Sequence, residues 1–216
     1  MKKGLTELVF ILDKSGSMDH LTDDTIGGFN SMIEQQKQED GEAYVTTVLF
    51  SSFSQVLHDH VNIQDVQPIT KKDYVPMGMT ALLDAVGNTI NSIGQRLSDT
   101  PEDERPEKVI FVITTDGIEN SSHEYTRSQI KAAIEHQQDK YSWVFMFLGA
   151  NIDAISEGSS LGIKSGYSKT YTASGIGTQS VYKSASSVLS CARGYSNSLG
   201  SEEFDEVVTA CLDSIV

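Results

Sequence analysis

Apolar positions follow two rhythms along this chain. Residues 5–12 close on the unbroken run Leu-Val-Phe-Ile-Leu, which suits a strand covered on both faces. Residues 109–113 and 143–148 repeat that pattern. Between these runs the spacing changes to three and four, with Ile26, Phe29, Met32 and Ile33 in one stretch and Leu82, Leu83, Val86, Ile90, Ile93 and Leu97 in another. That period predicts helices over 26–38 and 81–97, and a further helix is expected over 127–138. Residues 43–50 and 55–63 read as two strands joined by Ser51-Ser52-Phe53-Ser54, a connection short enough for a hairpin. One strand of that pair must then run against the rest. Pro101 and Pro106 break the charged segment between 99 and 108.

Strands alternating with helices predict an α/β fold, an open and mostly parallel sheet with helices on both faces and an antiparallel edge strand. The three apolar runs belong at its centre and the hairpin at one edge. The stretch from 156 to 201 is rich in Ser and Gly, yet Val181, Ala185, Val188, Leu189 and Ala192 keep a helical stripe through it. It is therefore expected to pack, with terminal helices over 178–193 and 202–215. The whole of 1–216 is expected to form one domain.

Composition then narrows the partners. The chain has 216 residues, 38% of them hydrophobic and 21% charged, within the range of folded globular proteins. Sixteen basic against thirty acidic residues leave a formal charge of −14. Such a surface repels phosphate backbones and anionic lipid, so neither nucleic acid nor membrane is an expected partner, and it attracts cations. The basic start Met1-Lys2-Lys3-Gly4 lacks the apolar core of a secretory signal, and no run is long enough to span a bilayer. The expected location is the cytoplasm. Cys191 and Cys211 fall in helical stretches and are expected to be buried free thiols.

Ligands of open α/β sheets sit at the carboxyl ends of the strands. The first buried run ends in Asp13-Lys14-Ser15-Gly16-Ser17, the second in Thr115-Asp116-Gly117, and Met77-Gly78-Met79-Thr80 opens the helix between them. Convergence of these loops would gather Asp13, Ser15, Ser17, Thr80 and Asp116. Two carboxylates and three hydroxyls suit a hard divalent cation, since Mg²⁺ takes six oxygens at about 2.1 Å and keeps waters readily. Gly16 would let the loop fold tightly, with both serines inward. Because the site lies in loops, single substitutions there are expected to spare the fold.

Asp13-Lys14-Ser15-Gly16-Ser17 resembles the D-x-S-x-S motif of von Willebrand factor type A domains. Gly78-Met79-Thr80-Ala81-Leu82 and Thr115-Asp116-Gly117 are similar to that family's other two motif segments, in its order and spacing. The likeness runs from Leu5 to Leu148, and the form Thr-Ala-Leu-Leu-Asp-Ala at 80–85 looks more like intracellular prokaryotic members than extracellular adhesins. The resemblance implies a Rossmann-like sheet bearing a metal-ion-dependent adhesion site, with Mg²⁺ or sometimes Mn²⁺. It further implies direct coordination by Ser15, Ser17 and Thr80, and by Asp13 and Asp116 directly or through water. The function implied is a protein-interaction module, not an enzyme, whose metal captures an Asp or Glu of a partner.

Two other functions fit the same residue types. A Mg²⁺-dependent phosphotransfer enzyme would use Asp13 as nucleophile, but haloacid-dehalogenase types carry D-x-D where Ser15 stands, and receiver domains arrange their acids differently. An assembly protein could use the metal only to brace its loops. His58 and His60, two apart on a strand, would share a face and read as a solvated edge. Asp19, Asp23 and Asp24 read as the solvated start of a helix. Ser174-Gly175-Ile176-Gly177-Thr178 lacks the lysine of a phosphate loop.

Overall fold

The run Leu8 to Leu12 is fully buried because both neighbouring strands are parallel to it and helices cover each face. The computed structural model describes residues 1–195 and 202–213. In chain order the elements are β1 (Lys2–Asp13), α1 (Thr22–Gln36), β2 (Glu42–Phe50), β3 (Ser54–Asn62), α2 (Leu82–Asp99), β4 (Pro106–Thr115), α3 (Arg127–Tyr141), β5 (Val144–Ala150), α4 (Ala154–Ser160), β6 (Ser168–Tyr171), α5 (Gly175–Gly194) and α6 (Glu202–Asp213). Strand order is β3-β2-β1-β4-β5-β6. Every pairing is parallel except β2 with β3. The hairpin thus forms one edge as expected, and the three apolar runs lie inside. Pro106, expected as a breaker, opens β4 instead, a position where its missing N–H is tolerated.

Alternation along β1 assigns the helices to faces. Phe10 meets Phe29 of α1 edge-on, with ring centroids 5.3 Å apart. Glu7, of opposite parity, reaches Arg96 of α2 at 2.7 Å. So α1 and α2 flank the sheet on opposite sides. α5 joins α1, and they approach closely at Gly28, where a Cβ would lie 2.4 Å from the Tyr182 ring. Lys108 of β4 donates to the carbonyls of Ala192, Arg193 and Tyr195 at 2.8, 2.8 and 2.6 Å, and so caps the end of α5 with a cation. The stripe from Val181 to Ala192 is buried as predicted. The last helix is described to Asp213, and position 215 of the expected helix lies outside the described residues.

The expected pairing of His58 and His60 on one face does not occur. The β2–β3 register shifts twice between Val45 and Val48, and His60 has φ +52°. This bulge sends His58 to Thr47 Oγ1 (3.1 Å) and His60 to Glu7 Oε2 (2.8 Å). The partner His60 finds is itself a surprise. Glu7 is fully buried in the sheet, and Arg96, His60 and Thr46 all reach its carboxylate, as a buried charge requires.

Candidate metal centre

Consecutive strands leave β1 to either side, β2 on one and β4 on the other, so a crevice opens where their carboxyl ends diverge. Asp13 is the last residue of β1, and Asp116 follows the last residue of β4. The loop from 77 to 80 is sewn between them. Met77 N donates to Lys14 O at 2.9 Å, Gly16 N to Gly78 O at 3.1 Å, and Ala81 N to Ser51 O at 2.9 Å. The loop from 77 to 80 requires its glycine, Gly78, whereas the Asp13–Ser17 turn does not depend on Gly16 as expected. Gly78 has φ +78°, and a Cβ there would lie 2.7 Å from Ser52 Oγ, whereas one on Gly16 would make only ordinary contact.

The five sequence-predicted residues come together. Ser15 N donates to Asp13 Oδ1 at 2.6 Å, Ser15 Oγ lies 3.1 Å from Ser17 Oγ, and Ser17 Oγ donates to Asp116 Oδ1 at 2.6 Å. Thr80 closes the group from the far side. A Cβ added to Gly117 would lie 3.2 Å from Thr80 Oγ1 and 3.9 Å from Ser17 Oγ, so both hydroxyls border the same small space. Asp13, Ser15 and Thr80 are buried, Asp116 is half-buried and Ser17 is exposed. The site therefore has its floor in the sheet and opens at Ser17. The expectation that it lies wholly in loops is corrected for Asp13, whose carboxylate sits at a strand end beneath the surface.

Three residues that sequence reasoning passed over hold this arrangement. Thr115 Oγ1 donates to Asp13 Oδ2 at 2.6 Å, and the buried Tyr74 hydroxyl donates to the Asp13 carbonyl. Asn120 Oδ1 accepts from Thr80 N at 2.9 Å, and Asn120 N donates back to Thr80 O at 3.0 Å. Thr115 belongs to the Thr115-Asp116-Gly117 segment. Tyr74 and Asn120 carried no signal, since a loop tyrosine and a turn asparagine have many uses.

Burial pushes the Asp13 carboxyl up to about 6. The Thr115 and Ser15 hydrogen bonds pull it back, and Asp116 adds to the rise. Like charge and desolvation at one spot are what a cation relieves. Among the described residues no cluster of three or more His, Cys, Asp or Glu is placed to hold a metal. The predicted donors gathered here are hard oxygens, two carboxylates with three hydroxyls, which suit Mg²⁺ or Mn²⁺ better than a soft metal. Asp19, Asp23 and Asp24 stand at the start of α1 and in the turn before it, with Lys71 paired to Asp23 at 2.7 Å. Ser174 caps α5 through Gly177 N, so that glycine-rich stretch is a helix start.

No protein-family model matches the sequence, and no curated protein sequence matches it. Solved structures do. Proximal thread matrix protein 1 from the mussel byssus, with a zinc-occupied MIDAS motif, aligns with 87% of this chain and 46% of its own at TM-score 0.60 and 17% identity. A von Willebrand factor type A protein from Catenulispora acidiphila aligns with 98% of this chain and 43% of its own at TM-score 0.56 and 15% identity. This chain has the von Willebrand factor type A fold. The ArnB paralog VWA2 from Sulfolobus acidocaldarius shares it at TM-score 0.50 and 16% identity, over 74% of this chain and 39% of that one. At such identities the type A fold is what is shared. The chain spans less than half the length of each of these proteins. Among its described residues no helix is long and apolar enough to cross a membrane.

Proposed function

We propose that this chain is a divalent-metal-dependent protein-interaction module whose site is formed by Asp13, Ser15, Ser17, Thr80 and Asp116. The observation that carries this reading is the hydrogen-bonded series from the Asp13 carboxylate through Ser15, whose N–H it accepts, and the Ser15 and Ser17 hydroxyls to Asp116, closed by Thr80 across Gly117. Ser15, Ser17 and Thr80 would hold the ion with neutral oxygens, and Asp13 and Asp116 would balance its charge. The ion would be Mg²⁺ or Mn²⁺, and when bound it supplies a positive charge that holds an Asp or Glu of a partner. On a surface of net charge −14 the ion would supply a concentrated local positive charge beside that of Lys14.

The state of Asp13 supports binding over phosphotransfer. A nucleophilic carboxylate must present a free oxygen to its substrate. Here Asp13 is fully buried, and both its oxygens accept hydrogen bonds, from Ser15 N and Thr115 Oγ1. We read residues 1–216 as one domain of this fold, because α5 packs on α1 and its end is capped from β4.

Calorimetry against Mg²⁺ and Mn²⁺ tests the site. The wild type should bind one ion, and Asp13→Asn and Asp116→Asn should each lose it with circular dichroism unchanged. Retained affinity in both variants sinks the assignment. Thr80→Ala should weaken a partner more than it weakens the metal, since the resemblance makes that threonine the ligand most tied to the bound state.

A further inference from the structure

Ten large apolar side chains stand exposed among the described residues, and five of them lie on the three loops that frame the candidate metal centre. Phe53 is 84% exposed at the β2–β3 turn, Met77 and Met79 are 61% and 53% exposed on either side of Gly78, and Ile118 is 64% exposed beside Gly117. Val75 stands in the same loop as the methionines. Hydrogen bonds fix these positions around the site. Met77 N is bonded to Lys14 O and Met79 N to Ser52 Oγ, the neighbour of Phe53. Ile118 follows the glycine that faces Thr80 and Ser17. Scattered apolar residues are ordinary on any surface. A ring of them on three loops around one polar site marks an interaction surface.

We infer that the partner presents its carboxylate from within an apolar patch, an Asp or Glu flanked by large aliphatic or aromatic side chains that cover Phe53, Met77, Met79 and Ile118. The inference rests on the metal-bridged reading above and adds the chemistry of the partner's surroundings. Three arguments select this occupant. An apolar collar excludes water from the contact, and lower dielectric strengthens a cation–carboxylate attraction many-fold over its value in water. The charge of −14 turns away a partner with many further acids, so the neighbours of the captured residue must be neutral or basic. Two of the four ring residues are methionines, whose flexible thioethers mould to apolar groups of varied shape.

A phage library of short random peptides with a fixed central Asp or Glu tests this directly. Selection uses the whole chain in Mg²⁺, with elution by EDTA. Enriched peptides should carry Leu, Ile, Met or Phe beside the acid. The combined variant Phe53→Ser, Met77→Ser, Met79→Ser, Ile118→Ser should bind them at least roughly tenfold more weakly, a loss typical of emptied interface anchors. Its Mg²⁺ affinity by calorimetry should equal that of the wild type. If the wild type binds no metal, the metal-bridged reading fails and this inference falls with it. If metal binding is intact but no peptides enrich, carboxylate capture fails and the inference falls with it; if peptides enrich with no apolar preference, or the ring variant binds them as well as wild type, the inference alone is overturned. Sedimentation that shows the wild type pairing with itself and the ring variant monomeric would assign the ring to a second copy, which also overturns it.

Discussion

At Asp13 burial, hydrogen bonding and the like charge of Asp116 act on one carboxyl. Its pKa rises on folding from 3.8 to about 6. A group shifted in that direction stabilises the fold below its unfolded value and loses that contribution as pH climbs through the folded one. The metal-free chain should therefore lose up to about 3 kcal/mol from this one group between roughly pH 3 and pH 7. Asp13→Asn does not titrate. In EDTA, urea unfolding should show it gaining on the wild type by about that amount over the same interval, and parallel pH profiles would exclude burial as the cause. Asn is also the better variant for metal binding. Ala would strip the acceptors from Ser15 N and Thr115 Oγ1, at about 1–3 kcal/mol for each group left unpaired.

Among the elements, the loop from 117 to 126 is tied to α2, because it accepts from the free N–H groups at that helix's start. Glu119 accepts from Leu83 N at 2.9 Å, and Asp84 returns the favour to the N–H groups of His123, Glu124 and Tyr125. Burial acts to raise the Glu119 pKa, but the hydrogen bonds from Leu83, Ser122 and Ser121 outweigh it and hold the carboxyl below its usual range. Glu119→Ala should cost about 2–3 kcal/mol and weaken Mg²⁺ through misplacement of Thr80 against Asp116. Glu119→Gln should restore part of both, and unchanged thermal melting of the Ala variant would refute this coupling of loop to helix. A second link joins α5 to α6. The thiols expected to be buried are half-buried, with Cys191 Sγ 3.4 Å from Cys211 Sγ. Diamide should take their two electrons and two protons and form a disulfide worth roughly 3 kcal/mol. Burial and the neighbouring thiol push Cys211 up to about 11, so the reaction should quicken at alkaline pH. Mass spectrometry showing two free thiols after treatment would contradict it. How legible these features were follows from their physics. The strands β1, β4 and β5 and the residues Asp13, Ser15, Ser17, Thr80 and Asp116 were readable because each site residue stands where a strong periodic run stops or starts. The bulge in β3 was not, because a period of two assumes an unbroken ladder. The need for glycine at 78 was not legible because a positive φ leaves no mark on composition, and β6 has only four residues with which to show a pattern.

On the scale of the whole molecule, the charge of −14 acts on two steps with opposite sign. It draws cations to the site and repels acidic partners, and salt screens both effects. Mg²⁺ affinity should fall several-fold between roughly 20 and 300 mM NaCl. Partner binding at saturating Mg²⁺ should hold or strengthen across the same range. Two affinities that fell together would mean the long-range field does not act as described. The sheet's margins bear on solubility in another way. An edge strand offers bare N–H and C=O groups to any neighbouring chain, and a flat, regular edge is a template for growth. One margin of this sheet ends in a strand of four residues. The other carries the double register shift and the left-handed His60. A second β3 laid alongside would lose alignment within a few residues. The kink that parts the two histidines thus also keeps one molecule's sheet from continuing into the next, and concentrated solutions should resist fibril formation at this edge.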